Sequence, residues 1–262
     1  MSHQTDWADS LAKWAIPQEI LDKATTTPWI HPPELFALPE VIELTISHSR
    51  AQEALPNGGS VLDVGCGGGI ATFALTGASH VIGVDHQSEM LEMFAAYAKS
   101  RGLRCETFEG FWPQVASDVP DADVVVCHHV VYNVAEIGPF LKALDSHAKK
   151  RVVIEMPTRH PLSNLSPAWM HFWKLDRPTT PEAQDLLEVL KEIGIDAHVE
   201  YWVGKMRDRS DLDRDSEFMR VRLCLPPERL GEVREYLAQN PLPSQREIAT
   251  IWWDVSASRG SN

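Results

Sequence analysis

The stretch VLDVGCGGGI, residues 61–70, joins a short apolar run to a glycine-rich turn. Asp63 lies in the apolar run, and every second residue from position 65 is a glycine: Gly65, Gly67 and Gly69. Bare backbone of this kind turns tightly and approaches a ligand closely, while the following helix offers free amides at its N-terminus. The dinucleotide-binding spacing G-x-G-x-x-G, counted from Gly65, requires a glycine where Ile70 stands. The stretch therefore predicts a strand, a cofactor loop and a helix, but not a dinucleotide site.

Short runs rich in Val and Ile alternate with helical stretches on either side of this loop. Such runs, without polar alternation, are typical of strands that are covered on both faces. We predict an α/β, doubly wound, Rossmann-like fold with a mostly parallel seven-stranded sheet and helices on both faces. The predicted strands are residues 60–64, 80–85, 104–110, 122–128, 151–156, 197–203 and 247–255.

The proline- and tryptophan-rich N-terminus is predicted to form a helical cap over residues 1–50, followed by a cofactor-binding domain over 51–262. Residues 157–182 are too long and aromatic for a plain connection, so they are interpreted as a substrate-side insertion with a short helix over 167–175.

Two local signals predict where helices begin. Pro39, as a first-turn proline, predicts a helix from 39 to 55 with Val41 and Leu44 inside. The pattern Asn133-x-x-Glu136 has the form of a capping box and predicts that Asn133 starts the next helix.

Composition limits the possible partners. The 24 Lys and Arg against 37 Asp and Glu give a formal net charge of −13, which opposes binding to nucleic acid or an anionic membrane face. Four widely spaced cysteines without a C-x-x-C pair indicate neither a disulfide framework nor a zinc site, so no metal is expected. No run approaches the ~20 apolar residues of a membrane span, and no signal peptide is recognisable. We expect a cytoplasmic protein; its oligomeric state is left open.

The spacing Asp63-x-Gly65-x-Gly67-x-Gly69, followed by Asp85 at the end of the next strand, resembles the S-adenosylmethionine-binding motifs of class I methyltransferases. The resemblance runs from about Ser60 to Met156. It implies that Asp85 accepts hydrogen bonds from the ribose hydroxyls and that Asp63 orients the cofactor ammonium group. The loop, with Cys66, would lie against the amino-acid part of the cofactor. A sulfonium cofactor without phosphate also tolerates the nearby carboxylates that a pyrophosphate would not.

A third motif of this family, after the third strand, corresponds here to EGFWP, residues 109–113, which departs from the commoner Gly-Asp-Ala. By the resemblance, this stretch meets the adenine, and either of two aromatic residues could stack on the purine. The remaining cofactor-binding candidates are therefore His86, Glu109, Gly110, Phe111, Trp112 and His128.

The methyl acceptor is expected at the carboxyl ends of the strands near 124–127 and 152–156, where open α/β sheets bind ligands. A neutral imidazole there could remove a proton from the acceptor, so His128 and His129 are the candidate bases and Tyr132 a positioning donor. One of the two adjacent histidines is equally well explained by packing. Arg159 would bind an acceptor carboxylate, and His160 is either a substrate contact or a turn residue.

Aromatic residues of the insertion and the cap are candidates for a roof over the acceptor: Trp29, His31, Phe36, Trp169, His171, Phe172 and Trp173. Such a roof favours a flat or hydrophobic small molecule. The alternative is that these side chains only hold the cap against the core.

Three functions are compatible with the residues. The first is a methyltransferase that acts on a small molecule, and the second is a cofactor-binding sensor without catalysis. The third is a methyltransferase with a protein acceptor, which would need an open groove. The histidines at the strand ends favour the first.

Overall fold

The computed structural model describes residues 2–29, 38–206 and 211–255. Within these residues a single seven-stranded sheet has the order β3-β2-β1-β4-β5-β7-β6. All pairs are parallel except those of β7, which runs antiparallel to both β5 and β6. The predicted mostly parallel sheet is therefore confirmed. The strands are β1 Gly59–Val64, β2 Ala78–Asp85, β3 Arg104–Glu109, β4 Ala122–His128, β5 Ala148–Pro157, β6 His198–Lys205 and β7 Gln245–Asp254.

Helices cover both faces of the sheet, as the apolar strands require. On one face, Trp7 of the first helix and Phe140, Leu144 and Leu186 of two later helices bury against the even-numbered residues of β5, the odd-numbered residues of β7 and their neighbours. On the other face, Ala51 and helices near the cofactor loop pack against the alternate strand residues. The α-helices among the described residues are α1 His3–Ala12, α2 Gln18–Leu21, α3 Ile46–Ala54, α4 Ile70–Phe73, α5 Ser88–Ser100, α6 Ile137–His147, α7 Ser166–Trp173, α8 Ala183–Glu192, α9 Leu212–Arg222 and α10 Leu230–Gln239.

A separate apolar cluster lies in a helical lobe built from three parts of the chain: α2, the segment through α7, and α9 with α10. Ile20, Trp169, Met219 and Val233 bury their side chains together there. The predicted helix in the insertion is confirmed as α7, whereas α9 was not predicted. Short 3-10 helices occupy Ala116–Asp118, Val131–Asn133, Pro161–Leu165 and Pro227–Arg229.

The helix predicted from Pro39 starts later than expected. α3 begins at Ile46 because the Thr45 hydroxyl accepts a hydrogen bond from the His48 amide, while the Thr45 amide donates to His48 Nδ1 at 3.0 Å. Val41 and Leu44 lie outside the helix with exposed side chains, 81% and 68%. The predicted burial of these two residues is therefore wrong.

The capping box predicted at Asn133 is also wrong. Asn133 ends a 3-10 helix, and α6 begins after Glu136 without a side-chain cap. The N-terminal cap is present as α1 and α2, and Trp7 ties α1 to the core by donating to the Val134 carbonyl at 2.8 Å. The division of the chain at residue 50 stays a prediction; that position falls within α3. No helix among the described residues is long and apolar enough to cross a bilayer.

Candidate functional site

The site lies where the strand order reverses. β1 pairs with β2 on one side and with β4 on the other, so the loops that follow β1 and β4 leave in opposite directions and open a crevice. The loop after β1 carries the alternating glycines, and the residues after β4 include the two histidines.

The glycine loop is held by its own backbone. The amides of Gly65 and Cys66 both donate to the Val84 carbonyl, at 2.8 and 3.0 Å, which anchors the turn to β2. Gly65, Gly67 and Gly69 have positive φ values of +72°, +49° and +90°, a region that disfavours residues with a Cβ. The Cys66 thiol points away from the turn into the packing of α4 and α5, and burial raises its pKa. Cys66 therefore contributes backbone to the loop and a packed thiol to the core.

Gly65→Ala is expected to destabilise the protein by about 2–4 kcal/mol, the sum of a strained φ and an overpacked contact. A Cβ at Gly65 would lie 2.4 Å from Val130 Cγ2, and a β-branched valine cannot move aside cheaply. Gly58→Ala is the matched control, because Gly58 has φ +77° but no atom within 4 Å of the added carbon. Urea unfolding should show only about 1 kcal/mol for the control. Equal losses in both variants would contradict the close packing.

Two carboxylates flank the loop in different environments. Asp63 is buried, accepts a hydrogen bond from Thr72 Oγ1 at 2.9 Å, and has a pKa that burial raises to about 7. Asp85 ends β2 and accepts from the Gly67 amide at 3.0 Å and the Gln87 amide at 3.1 Å, one on each oxygen. Oδ2 keeps a second acceptor position, while Oδ1 also faces His86 Nδ1 at 3.4 Å, so a hydroxyl group bound at Oδ1 would lie beside that ring.

The residues after β3 divide between the site and the core. The Gly110 amide donates to the Asp85 carbonyl at 2.9 Å, and a Cβ at Gly110 would collide with Val115. Phe111 is 67% exposed and stacks on His86 with ring centroids 4.9 Å apart. Trp112 is buried in the core and donates to the Phe140 carbonyl at 3.3 Å. Of the two aromatic candidates, Phe111 is the one that faces out beside Asp85.

These features fit S-adenosylmethionine. Residues 61–70 contain no lysine or arginine that could bind a phosphate, whereas Asp63 and Asp85 favour a cationic ligand with free hydroxyls. The glycines with positive φ beside Asp85 let a ligand approach the backbone closely, and the exposed Phe111 ring offers an apolar face for a purine. Glu109 lies opposite Asp85 in the β2–β3 register, with its side chain exposed.

His129 and Glu155 form the most specific polar pair of the site. His129 Nε2 lies 3.0 Å from Glu155 Oε1, and the His129 amide donates to the Glu155 carbonyl at 2.7 Å. His129 has φ +62°, a strained conformation for a residue other than glycine that is common at functional sites. Because Nε2 donates to the carboxylate, the neutral ring leaves Nδ1 as a proton acceptor. Nδ1 is buried and has no hydrogen-bond partner within residues 2–29, 38–206 and 211–255.

Glu155 is a buried, ionised carboxylate. Burial acts to raise its pKa, but the neighbouring His128 and the hydrogen bond with His129 outweigh that effect and hold the pKa below the usual range. Thr45 Oγ1 donates to Glu155 Oε2 at 2.9 Å. Thr45, at the start of α3, thus holds the Glu155 carboxylate in place. The carboxylate in turn orients the His129 ring.

His128 and His48 are neutral and lie together beneath this pair. Burial lowers the pKa of His128 to about 4 against the opposing charge of Glu155, and burial also lowers the pKa of His48. Their rings lie 5.4 Å apart. The described residues contain no group of three or more His, Cys, Asp or Glu side chains placed to hold a metal ion.

Unpartnered buried nitrogens are concentrated at this edge of the sheet. Buried polar atoms normally have a hydrogen-bond partner, and exceptions call for an explanation such as a missing ligand. Among the described residues, four side chains of the site have a buried nitrogen without one: His48 Nε2, His128 Nε2, His129 Nδ1 and Arg246 Nε. Their convergence indicates a crevice built for a polar ligand.

Tyr132 and His160 lie at the junction of the core and the helical lobe. Burial raises the pKa of the Tyr132 phenol. His160 is buried, stacks on Trp14 at 4.0 Å and contacts the Tyr132 ring edge-on at 5.8 Å. Burial lowers the pKa of His160 to about 4. His160 is therefore a neutral packing residue that joins the N-terminal segment to the site.

The other predicted substrate residues do not meet in one pocket. Arg159 is 72% exposed and pairs with Glu182 at 3.5 Å. Trp169 is buried inside the helical lobe, and Trp173 Nε1 donates to the Leu223 carbonyl at 2.7 Å in the same lobe. Trp29 is half exposed. His31 and Phe36 lie outside the described residues.

Three residues of the site were not predicted from sequence. Glu155 carried a signal, since an acidic residue near the end of an otherwise apolar strand is rarely buried without a purpose. His48 carried none, because its role depends on where α3 begins. Arg246 carried none either, because only the reversed direction of β7 brings it to the carboxyl edge.

Comparisons with known proteins agree with this geometry. Residues 61–151 match the family model described as a methyltransferase domain. A ubiquinone biosynthesis O-methyltransferase from Rickettsia felis is 32% identical over 110 residues, 42% of this chain and 43% of that protein. A ribosomal protein L11 methyltransferase from Vibrio campbellii is 34% identical over 90 residues, 34% of this chain and 30% of that protein.

The matches to these relatives span less than half of each relative's length. Among solved structures, the YcgJ protein of Bacillus subtilis superposes with a TM-score of 0.54 at 15% identity, covering 79% of this chain and 97% of that one. At this identity the likeness concerns the fold alone.

Proposed function

Because this chain belongs to the class I S-adenosylmethionine-dependent methyltransferases, we propose that it transfers a methyl group from that cofactor to a small molecule held in the crevice beside His129. The family is identified by residues 61–151, which contain the glycine loop and Asp85. The activity and the acceptor are inferred from the site, since the curated relatives are matched over less than half of their length.

The observation that carries the proposal is the pairing of His129 with buried Glu155, at 3.0 Å, beside a cofactor loop. A sensor that only binds the cofactor has no need for an oriented imidazole with a free Nδ1. The buried Nδ1, which has no hydrogen-bond partner among the described residues, supports a role beyond that of a structural ion pair. The pair therefore favours catalysis over sensing.

The residues divide into those that hold the cofactor and those that act on the acceptor. We propose that Asp85 binds the ribose hydroxyls, the loop of Gly65 to Gly69 and Asp63 hold the amino-acid end, and Phe111 covers the purine. When bound, the cofactor supplies a methyl group on a positively charged sulfur, which departs as a neutral thioether. The chain aligns the acceptor with that methyl group and excludes competing water.

His129 is proposed to remove the acceptor proton. Nδ1 would take up the proton that the acceptor atom releases, which would leave that atom with the electron pair it needs as a nucleophile, and Glu155 would stabilise the resulting imidazolium. His128 stays neutral at physiological pH because burial lowers its pKa to about 4, so it serves as a polar wall and not as the base. Tyr132 is proposed to limit the crevice on the side of the helical lobe.

The cofactor assignment is tested by calorimetry with S-adenosylhomocysteine and with NAD. We expect micromolar binding of S-adenosylhomocysteine, about −8 kcal/mol, and no binding of NAD. Asp85→Ala should weaken S-adenosylhomocysteine binding by about 10- to 100-fold, because charge-assisted hydrogen bonds to the ribose are lost.

Asp123→Ala is the matched control, since Asp123 also accepts a backbone hydrogen bond, from the Ser60 amide at 2.9 Å. Asp123 lies in β4 near its amino end, away from the crevice. Its replacement should lower stability but leave the affinity unchanged. NAD binding without S-adenosylhomocysteine binding would contradict the assignment. Tight cofactor binding without methyl transfer to any small-molecule or protein pool would instead favour a sensor.

The partners and location are proposed on composition. The net charge of −13 opposes nucleic acid and anionic membrane surfaces, which supports a small-molecule acceptor. A cytoplasmic location is proposed with it.

A further inference from the structure

The start of β7 reaches the carboxyl edge of the sheet. β7 runs antiparallel to β5, and its register pairs Ile248 with Pro157, the last residue of β5. Arg246 therefore lies beyond the end of β5, above the crevice. Alternate residues share one face of a strand, so Arg246 is on the face of Thr250, which lies opposite Glu155 in the register.

Arg246 has no direct partner among the residues that the structure describes. Its Nε is buried without a hydrogen-bond partner, and no acidic side chain among the described residues forms an ion pair with it. Burial lowers its pKa, while Tyr132 and Glu155 act in the opposite direction. The charge of Glu155 acts on Arg246, but no hydrogen bond or ion pair joins the two side chains, and the Glu155 oxygens contact Thr45 and His129 instead. A partly dehydrated guanidinium in this state is unfavourable until an anion binds it.

We propose that Arg246 binds a carboxylate of the methyl acceptor, so that the substrate is a small carboxylic acid that receives the methyl group at another atom. This inference rests on the proposed function. The planar guanidinium fork matches a carboxylate, and one negative charge balances the free charge of Arg246. The nearby carboxylate of Glu155 would repel a doubly charged phosphate about twice as strongly as a singly charged carboxylate. Arg159, the carboxylate binder expected from sequence, is instead exposed and paired with Glu182.

Arg246 would act as a positioning and specificity residue. With the acceptor carboxylate held at the start of β7, the rest of the molecule extends toward β4, where His129 offers Nδ1. The site would reject neutral analogues, because an acceptor without the carboxylate would leave the Arg246 guanidinium unpaired.

The test compares benzoate with benzamide, a neutral molecule of the same shape, by calorimetry on the protein saturated with S-adenosylhomocysteine. We expect wild-type protein to bind benzoate at least tenfold more tightly than benzamide. Arg246→Gln should abolish this preference, and Arg246→Lys should retain part of it because the charge remains without the fork. Arg159→Gln tests the other candidate for binding the carboxylate. This variant should keep the wild-type preference for benzoate over benzamide.

Stability provides a second readout on the same variants. If Arg246 binds a ligand and does not serve the fold, Arg246→Gln should melt at the wild-type temperature or above, because an unpaired buried charge is removed. Absence of a benzoate preference in wild-type protein, loss of the preference in Arg159→Gln alone, or a lower melting temperature for Arg246→Gln would each overturn the inference.

A third arm uses natural acceptors. A metabolite pool is split into anionic and neutral fractions and incubated with methyl-labelled S-adenosylmethionine. We expect the label in the anionic fraction; label only in the neutral fraction overturns the carboxylate but leaves the proposed function standing. Failure of wild-type protein to bind S-adenosylhomocysteine would refute the proposed function, whatever the benzoate result.

Discussion

Replacement of His129 by alanine is expected to lower the turnover number by about 10²–10⁴ while the affinity for S-adenosylhomocysteine stays within a factor of two or so of wild type. The physical reason is that Nδ1 is proposed to accept a proton only during attack, whereas the loop after β1 and Asp85 are proposed to hold the cofactor. Radiolabelled methyl transfer to the acceptor fraction measures the rate, and calorimetry measures the affinity.

Two further variants separate the base from its support. Glu155→Gln keeps the shape of the side chain but removes the charge that orients and stabilises the His129 imidazolium, so turnover should fall with little change in KM. His147→Ala is the control, since His147 bonds the backbone carbonyls of Ala143 and Ala116, at 2.8 and 2.9 Å, outside the crevice. Full activity in His129→Ala would mean that alignment alone carries the reaction and that the assigned base is wrong.

Asp63→Asn is expected to remove a pH-dependent loss of stability of up to about 4 kcal/mol. Burial raises the pKa of Asp63 from its ordinary value of 3.8 to about 7. Between those values the folded protein holds a proton that the unfolded chain releases, so the free energy of unfolding falls as pH rises. The loss is absent below about pH 4, grows to about pH 7 and is complete above it, at about 1.4 kcal/mol for each pKa unit.

Urea unfolding of both proteins at several pH values between 4 and 8 measures this effect. The stability of Asp63→Asn relative to wild type should rise with pH across that window and level off above pH 7. Thr72→Val provides a second check. The Thr72 hydroxyl stabilises the charged form of Asp63, so removal of this hydroxyl should raise the Asp63 pKa further and extend the pH range of the stability loss upward. Parallel pH profiles for wild type and Asp63→Asn would refute the raised pKa. A bound ammonium group would offset this loss, which is consistent with a carboxylate kept for a cationic cofactor.

The sequence by itself determined the fold class and the cofactor loop. Apolar runs specify strands that need cover on both faces, and left-handed turns at Gly65, Gly67 and Gly69 require residues without a Cβ. These are local properties of the backbone, so they can be predicted without knowing what the chain packs against. Asp85 follows from the same spacing, because it ends the strand that anchors the loop.

Only the tertiary structure decided which side chains face the crevice. His128 and His129 are adjacent and chemically identical, yet the pKa of His128 is lowered so that its ring is neutral, while His129 is turned by its positive φ onto Glu155. Phe111 and Trp112 differ in the same way, because Phe111 is exposed and Trp112 is buried in the core. These choices depend on contacts between residues distant in sequence, and local spacing contains no information about them.

The same reason accounts for the residues that the sequence did not reveal. His48 and Arg246 belong to α3 and β7, about 200 residues apart, and reach one edge only because β7 reverses direction in the sheet. The sequence therefore determined the backbone that can bind a cofactor. The packing of distant elements decided the side chains that would bind and activate an acceptor.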